Sequence, residues 1–305
     1  MLAENQAKVA IVLGGSGFLG SYVADELSRR GFVVRVFDKI PSPYILPDQQ
    51  MIVGDITNIS DVQSAINGCD YVFNFASVSD IEEAASDPIR TATVNVLGVV
   101  NSIEASRNAE IRRYVLASSV YVYSRDGGIY KASKQSAESF VEAFHQAHSI
   151  SHTILRYGSL YGRRSGVHNT IGKLVRECLE KKTLTYYGNE NAVREYIHVE
   201  DAARLSVDIL DDEFDGKRVL LTGTERLHVR EIMEMIAEIA PDRPEINIKP
   251  PPSGLHYAVS PYSFQPRLGQ KLTVKNFVDI GQGILDCFEE AHEQTKDKRH
   301  HNKVV

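Results

Sequence analysis

Tyr130 and Lys134 stand four residues apart in Tyr130-Lys131-Ala132-Ser133-Lys134, and ten residues separate Tyr130 from Ser119, the second of the pair Ser118-Ser119. On a helix, that four-residue spacing puts both side chains on one face, about one turn apart. An ammonium held near a phenol favours the phenolate, so a group with a reference pKa near 10 can exchange protons around neutral pH. A serine hydroxyl beside the phenol can hydrogen-bond a substrate oxygen while the phenol takes or gives its proton. That chemistry is the oxidation of an alcohol to a ketone, or the reverse, and it needs a hydride carrier. The Tyr-x-x-x-Lys spacing is common on ordinary surface helices, and serine pairs are common at strand ends. The elements around these residues therefore carry the weight.

A site for the carrier is legible at the N-terminus. Lys8–Leu13 is the apolar run of a parallel strand buried on both faces. It ends in Gly14-Gly15-Ser16-Gly17-Phe18-Leu19-Gly20 and passes into Ser21–Arg30, which reads as a helix. The glycines satisfy both Gly-x-Gly-x-x-Gly (15, 17, 20) and Gly-x-x-Gly-x-x-Gly (14, 17, 20). They permit a tight turn, close approach of a pyrophosphate to backbone N–H groups, and close helix–strand contact at Gly20. A second strand, Phe32–Phe37, ends at Asp38, 18 residues beyond Gly20. A carboxylate there accepts hydrogen bonds from a ribose diol and repels a 2′-phosphate. Glycines alone also suit an ordinary tight turn. Strand, glycines, helix, strand and acid in this order predict dinucleotide binding, with Asp38 favouring NAD over NADP and the adjacent Lys39 weighing the other way.

The next segments continue the alternation. Met51–Val53 reads as a strand whose end, Gly54-Asp55-Ile56, lies where an adenine ring can be flanked, and Ile59–Asn67 reads as a helix. Tyr71–Ala76 is a buried strand, and Pro88–Asn108 a long helix with apolar residues on more than one face, among them Val94, Leu97, Val99 and Ile103. Surplus apolar surface of that kind predicts a homodimer built on the 88–108 and 130–148 helices. Arg113–Ser119 is a strand, Tyr130–His148 a helix and His152–Tyr157 a strand. Together they predict an α/β protein, a doubly wound parallel sheet with ligands at the strand C-termini.

Beyond Gly162 the rhythm changes. Thr170–Lys181 reads as a helix, Thr183–Tyr187 as a short strand and Arg194–Ile209 as a helix-forming stretch. Arg218–Thr222 then reads as a strand and Val229–Ala240 as a helix. Pro241–Pro266 reads as an irregular lid and Val274–Glu290 as a last helix. The expected division is residues 1–166, with about 194–225 returning to them, as a dinucleotide-binding domain, and 167–305 as a smaller α/β substrate lobe.

The 305 residues suffice for a large core, and 43% apolar with 24% charged residues is ordinary for a soluble enzyme. A net charge of −6 argues against a nucleic-acid surface. Cys69, Cys178 and Cys287 follow neither metal-ligand nor disulfide spacing, so no metal is expected. Residues 1–8 carry Glu4 and Lys8 without an apolar signal region, and no run reaches membrane-spanning length, which predicts a cytoplasmic protein. The charged, His-rich tail Lys296–Lys303 reads as a solvated end.

Several motifs occur in an order that resembles the extended short-chain dehydrogenase/reductases, in particular their NAD-dependent nucleotide-sugar epimerase/dehydratase branch. They are Gly14–Gly20, Gly54-Asp55-Ile56, Asn74-Phe75-Ala76-Ser77, Asn95-Val96-Leu97-Gly98, Ser118–Tyr123, Tyr130-x-x-x-Lys134, Leu155-Arg156-Tyr157 and Arg194-Glu195-Tyr196-Ile197-His198-Val199-Glu200-Asp201. The resemblance covers roughly residues 8–210. It implies a Rossmann-type sheet and a catalytic trio of Ser119, Tyr130 and Lys134. It also implies NAD contacts from Gly14, Gly17, Phe18, Leu19, Asp38, Lys39, Asp55, Ile56, Phe75, Ala76, Ser77, Asn95, Tyr130, Lys134 and Tyr157. Ser118, Asn169, Tyr187 and Arg194 fall at its substrate positions, the last suited to phosphate by bidentate hydrogen bonding. Arg194 can equally form an ion pair with Glu195 or Glu200, and Asn169 can equally cap the helix that starts at Thr170.

Three departures bear on the substrate. The connection from Ser119 to Tyr130 is shorter than the branch usually has, which opens the pocket or lets another segment fill it. Val120-Tyr121 stand where 4,6-dehydratases carry an acidic pair, which disfavours dehydration. Pro250–Pro261 lacks the arginine that commonly completes the diphosphate grip. The resulting expectation is oxidation of a nucleotide-sugar hydroxyl, at C4, with net 4-epimerisation. The rivals are a net NAD-dependent dehydrogenase or ketoreductase of a nucleotide-sugar or other small alcohol, and a non-catalytic NAD(H)-binding regulator, for which the phenol–ammonium pair is not required.

Overall fold

The computed structural model describes residues 7–167, 169–189, 191–250, 256, 270–272, 274 and 276–301. By packing, these fall into two units. One holds the described residues up to Tyr157 together with Ala203–Leu221 and the short strand Gln270–Lys271. The other holds the described residues of 158–202, 222–260 and 273–305.

The first unit is a parallel sheet with helical crossovers. Its strands are β1 (Val9–Leu13), β2 (Val33–Asp38), β3 (Gln49–Val53), β4 (Tyr71–Asn74), β5 (Arg113–Ser119), β6 (His152–Tyr157), β10 (Lys217–Leu221) and β13 (Gln270–Lys271). Their order is β13-β10-β6-β5-β4-β1-β2-β3, with every pairing parallel. The chain reverses its winding between β1 and β4, so the strand ends diverge there and open a crevice at the C-terminal edge. Register aligns Leu13 with Phe37 and with Asn74, and Ser119 with Tyr157, which brings the expected site residues to that one edge.

The helices of this unit are α1 (Phe18–Arg29), α2 (Ile59–Ile66), α3 (Ile81–Ser86), α4 (Pro88–Ala92), α5 (Gly98–Asn108) and α6 (Gly128–His148). On α6 the buried positions Tyr130, Ser133, Lys134, Ala137, Glu138 and Val141 form one stripe at helical period. A core of Ile11, Leu13, Val72, Leu116 and Ile154 packs under Ile66, Ile103 and Val141.

The expected long helix 88–108 is interrupted. Thr93–Leu97 forms a π-helical turn between α4 and α5, an irregularity common at functional sites. It buries Asn95, while Val99 and Ile103 enter the core and Ile89 and Leu97 remain exposed.

In the second unit, β9 (Val193–His198) pairs with β7 (Ser159–Tyr161) and β11 (Arg226–His228), and β8 (Thr183–Tyr187) pairs with β12 (Glu245–Lys249). Around them lie α7 (Thr170–Lys181), α9 (Val229–Ile239) and α10 (Ile280–His301), with a core of Ile171, Val175, Ile232, Met233, Ile236 and Ile284. The boundary between the units falls inside α8 (Val199–Asp208).

Three further expectations change here. The stretch 194–209 is not one helix: strand β9 precedes α8, whose first turn carries Glu200 and Asp201. The 241–266 segment contains strand β12, and its residues 251–255 and 257–266 lie outside the described residues. The last helix starts at Ile280 rather than 274 and runs on to His301, beyond the expected end at Glu290; residues 302–305 of the tail lie outside the described residues. Among the described residues no helix is long and apolar enough to cross a membrane.

Candidate active site

The glycine loop is built by backbone. After β1, the N–H groups of Gly14 and Gly15 both donate to the Phe37 carbonyl, at 2.8 and 3.2 Å, and Gly17 N–H donates to Gly14 O at 3.1 Å. Gly14 has φ +79°, and a Cβ there would lie 2.5 Å from Ala76 N. A Cβ on Gly20 would lie 2.3 Å from Gly14 O, so helix α1 passes the turn at a distance only glycine allows. Phe18 and Leu19 open α1, whose first N–H groups and dipole favour an anion.

Around this loop stand the other expected cofactor residues. Asp38 accepts a hydrogen bond from Ser16 N–H at 3.1 Å, which ties the second strand's carboxylate to the loop. Lys39 is paired with Asp55 at 2.9 Å, so the cation that weighed towards NADP is engaged by a neighbour. Burial works to raise the Asp55 carboxyl, but the hydrogen bonds from Lys39 and Thr57 outweigh it and hold it below its usual range. Ile56 is buried, within reach of a Cβ placed on Gly98. Asn74 accepts from Ala76 N–H and donates to Ser102 and Tyr114, fixing the turn that carries Phe75 and Ala76. Asn95 bridges three segments: its side chain bonds Val78 N–H and C=O, Ser77 Oγ and Ser133 Oγ on α6. Tyr157 tilts its ring against Phe75 at 6.3 Å, and its hydroxyl is shared with Ser206 at 2.6 Å. Burial pushes that phenol up. The cradle fits NAD: a turn that excludes side chains, an available helix N-terminus and a carboxylate at the end of β2.

Ser119 ends β5, and its Oγ accepts from Tyr121 N–H at 3.3 Å. Tyr130 and Lys134 lie one turn apart on α6, both buried, with Lys134 Nζ 5.8 Å from the centre of the Tyr130 ring. The ammonium donates to Ala117 O at 3.0 Å, two residues before Ser119. Burial pulls Lys134 down to about 8, against a smaller opposing pull from Glu138. Phenol, ammonium and serine are thus carried by two rigid elements, a helix and the strand it covers.

The sequence reading missed what holds these two elements together. Glu138, one turn after Lys134, accepts from Ser118 Oγ at 2.5 Å and from Arg156 Nε at 2.9 Å and Nη2 at 2.5 Å. Arg156 also donates to the Tyr123 hydroxyl. Glu138 and Arg156 are buried, so this is an ion pair with its remaining donors and acceptors satisfied. The signal was available: Glu138 continues the stripe of Tyr130 and Lys134 at the same spacing. In this structure Ser118 turns its hydroxyl to that pair.

The three expected substrate residues of the second unit have local roles. Asn169 caps α7, accepting from Gly172 N–H at 3.1 Å and donating to Leu160 O at 2.7 Å. Buried Arg194 donates to Val193 O at 3.2 Å, while its neighbour Glu195 pairs with Arg226 at 3.0 Å. Tyr187 is 47% exposed, with Lys173 Nζ and Lys249 Nζ 5.9 and 5.7 Å from its ring centre. Among the described residues no three His, Cys, Asp or Glu side chains gather where they could hold a metal ion.

The sequence profile of the NAD dependent epimerase/dehydratase family matches residues 10–221. A putative UDP-glucose 4-epimerase of Methanocaldococcus jannaschii is 25% identical over 296 residues, spanning 90% of this chain and 95% of that protein. The crystal structure of a UDP-glucose 4-epimerase with UDP-glucose from Thermotoga maritima superposes with a TM-score of 0.82 at 21% identity, covering 94% of this chain and 99% of that one. A Thermus thermophilus UDP-glucose 4-epimerase in complex with NAD gives 0.79 at 24% identity, covering 93% and 99%. The chain belongs to the NAD dependent epimerase/dehydratase family, and it is an enzyme whose cofactor is NAD.

Proposed function

We propose that this enzyme interconverts nucleotide-activated sugars, UDP-sugars first among them, by oxidising the C4 hydroxyl and reducing the resulting ketone on its other face. The observation that carries the reading is the buried Tyr130–Lys134 pair anchored to Ala117 O beside Ser119, at the same sheet edge as the glycine cradle. Bound NAD supplies a reversible acceptor for the carbinol hydrogen and its electron pair. Tyr130, as a phenolate stabilised by the Lys134 ammonium, takes the hydroxyl proton and becomes the neutral phenol. Ser119 already accepts one hydrogen bond from backbone, which leaves its O–H to donate to the substrate oxygen. When the ketone presents its other face, Tyr130 returns the proton and no cofactor is consumed.

The name of the Methanocaldococcus relative and the UDP-glucose in the Thermotoga structure support this substrate class. Val120 and Tyr121 supply no acid after Ser119, which favours epimerisation over loss of water. Arg194 and Tyr187 are assigned to the diphosphate and the base, and Asn169 to holding the start of α7 near them. The exposed Ile89 and Leu97, with Phe140 of α6, are assigned to a homodimer interface of helices in the cytoplasm.

Proton NMR of UDP-glucose incubated with the enzyme and NAD, without any other oxidant or reductant, tests the reading. UDP-galactose accumulating to a fixed ratio is expected. Stoichiometric NADH with no epimer would make the enzyme a net dehydrogenase, and no change in any UDP-sugar would overturn the substrate class.

A further inference from the structure

Ten residues connect Ser119 to Tyr130, and one of them touches both. Tyr121 lies in the 3₁₀ turn Val120–Tyr123 directly after β5. Its N–H donates to Ser119 Oγ, and its ring meets the Tyr130 ring edge-to-face, centres 6.0 Å apart and planes at 82°. That is a favoured aromatic geometry, and it fixes the plane of the phenol it touches. Behind the Tyr121 ring stands Gly127. A Cβ there would lie 2.7 Å from Tyr121 Cδ1 and 3.1 Å from Lys131 Cβ, and its φ is +96°. The short connection is closed on itself by Ser124 N–H to Tyr121 O at 2.9 Å and Lys131 N–H to Gly127 O at 3.0 Å. The Tyr121 ring is therefore wedged between the buried backbone of Gly127 and the phenol of Tyr130.

We infer that Tyr121 is a positioning residue of this active site: its ring, backed by Gly127, forms the wall that holds the Tyr130 phenol in line with Ser119. The inference rests on the proposed epimerase reading. The ring surface does this, and the Tyr121 hydroxyl takes no part in the chemistry. A phenol that must take a proton in one half-reaction and return it in the other needs a fixed orientation relative to Ser119, since about 1 Å of misplacement can cost about 100-fold in rate. Removing the ring takes away one wall of the Tyr130 side chain and opens space beside it. The effect falls on the chemical step and not on substrate capture.

Tyr121→Ala, Tyr121→Phe, Gly127→Ala and the double variant Tyr121→Ala/Gly127→Ala test this, with kcat and KM for UDP-glucose, NAD affinity and melting temperature measured on each. Tyr121→Ala is expected to lower kcat by about 10- to 100-fold with KM and NAD affinity within about twofold, and Tyr121→Phe to restore it. Gly127→Ala is expected to lower kcat by displacing the ring and, with φ at +96°, to lower the melting temperature whether or not the ring is present; kcat of the double variant is expected to be no worse than that of Tyr121→Ala alone. Full kcat in Tyr121→Ala would overturn the inference, as would a Tyr121→Phe variant equally impaired, or additive losses of kcat in the double variant. Should Gly127→Ala not fold, the Ala and Phe substitutions at 121 decide alone. A wild-type enzyme that leaves UDP-glucose unchanged would instead count against the proposed substrate. The Ala variant's effect is then read on the alcohol that the wild type does oxidise.

Discussion

Two cations are buried beside the C-terminal end of β5, and the protein treats them in opposite ways. Arg156, aligned with Ser118 across the sheet, is held by two hydrogen bonds to Glu138 and one to the Tyr123 hydroxyl, with its guanidinium 4.6 Å from the Tyr123 ring centre. Lys134 donates to the Ala117 carbonyl and lies 5.8 Å from the centre of the Tyr130 ring, while the Glu138 carboxylate is bonded to Arg156 and Ser118. Burial works to lower Arg156, but Glu138 outweighs it and leaves the guanidinium above its ordinary value, whereas burial brings Lys134 down to about 8. The first cation is neutralised and joins helix to strand. The second keeps its charge uncompensated, and that charge is available to a phenolate.

The sharpest way to break this contrast is to remove the structural cation. Arg156→Met leaves the Glu138 carboxylate buried without its partner, and about 3–5 kcal/mol of stability should be lost in urea unfolding at neutral pH. A loss below about 1 kcal/mol would mean that the pair does not hold α6 on β6.

Removing the other cation should act on chemistry and on pH dependence. The folded pKa of Lys134 lies below its unfolded value, so the unfolded chain binds the proton more tightly between about 8 and 10.5. Its contribution to stability is present in full above that window and is lost as pH falls through about 8. Lys134→Met should abolish this rise in stability with pH while lowering turnover by about 100-fold or more. The wild-type kcat should itself fall as pH rises past about 8, where the ammonium is lost. A variant with the wild-type rise in stability would place the titrating group elsewhere.

Much of this was legible in the sequence because the chemistry demands particular backbone. Gly14 and Gly20 are readable since no side chain fits where they stand, and β1, β5 and β6 are readable as runs buried on both faces. Spacing put Tyr130 and Lys134 on one helix face, and the family resemblance added Ser119 to them. Glu138 was overlooked although it continues their stripe, because its partner Arg156 is 18 residues away and pairs only once α6 lies on β6. The 194–209 stretch read as helix because β9 runs directly into α8 and its pairing partners, Ser159–Tyr161 and Arg226–His228, are three residues each. The Tyr157 hydroxyl's bond to Ser206 spans 49 residues and leaves no local mark. Asn169 was readable as a cap from its place before Thr170, which is what the helix uses it for.

The most direct measurement is turnover and NAD affinity of Tyr130→Phe. If the phenol moves the proton, kcat falls by about 10²–10⁴-fold while NAD binds as in the wild type and the fold is unchanged. Turnover within about twofold of wild type would contradict the assignment of proton transfer to the Tyr130–Lys134 pair.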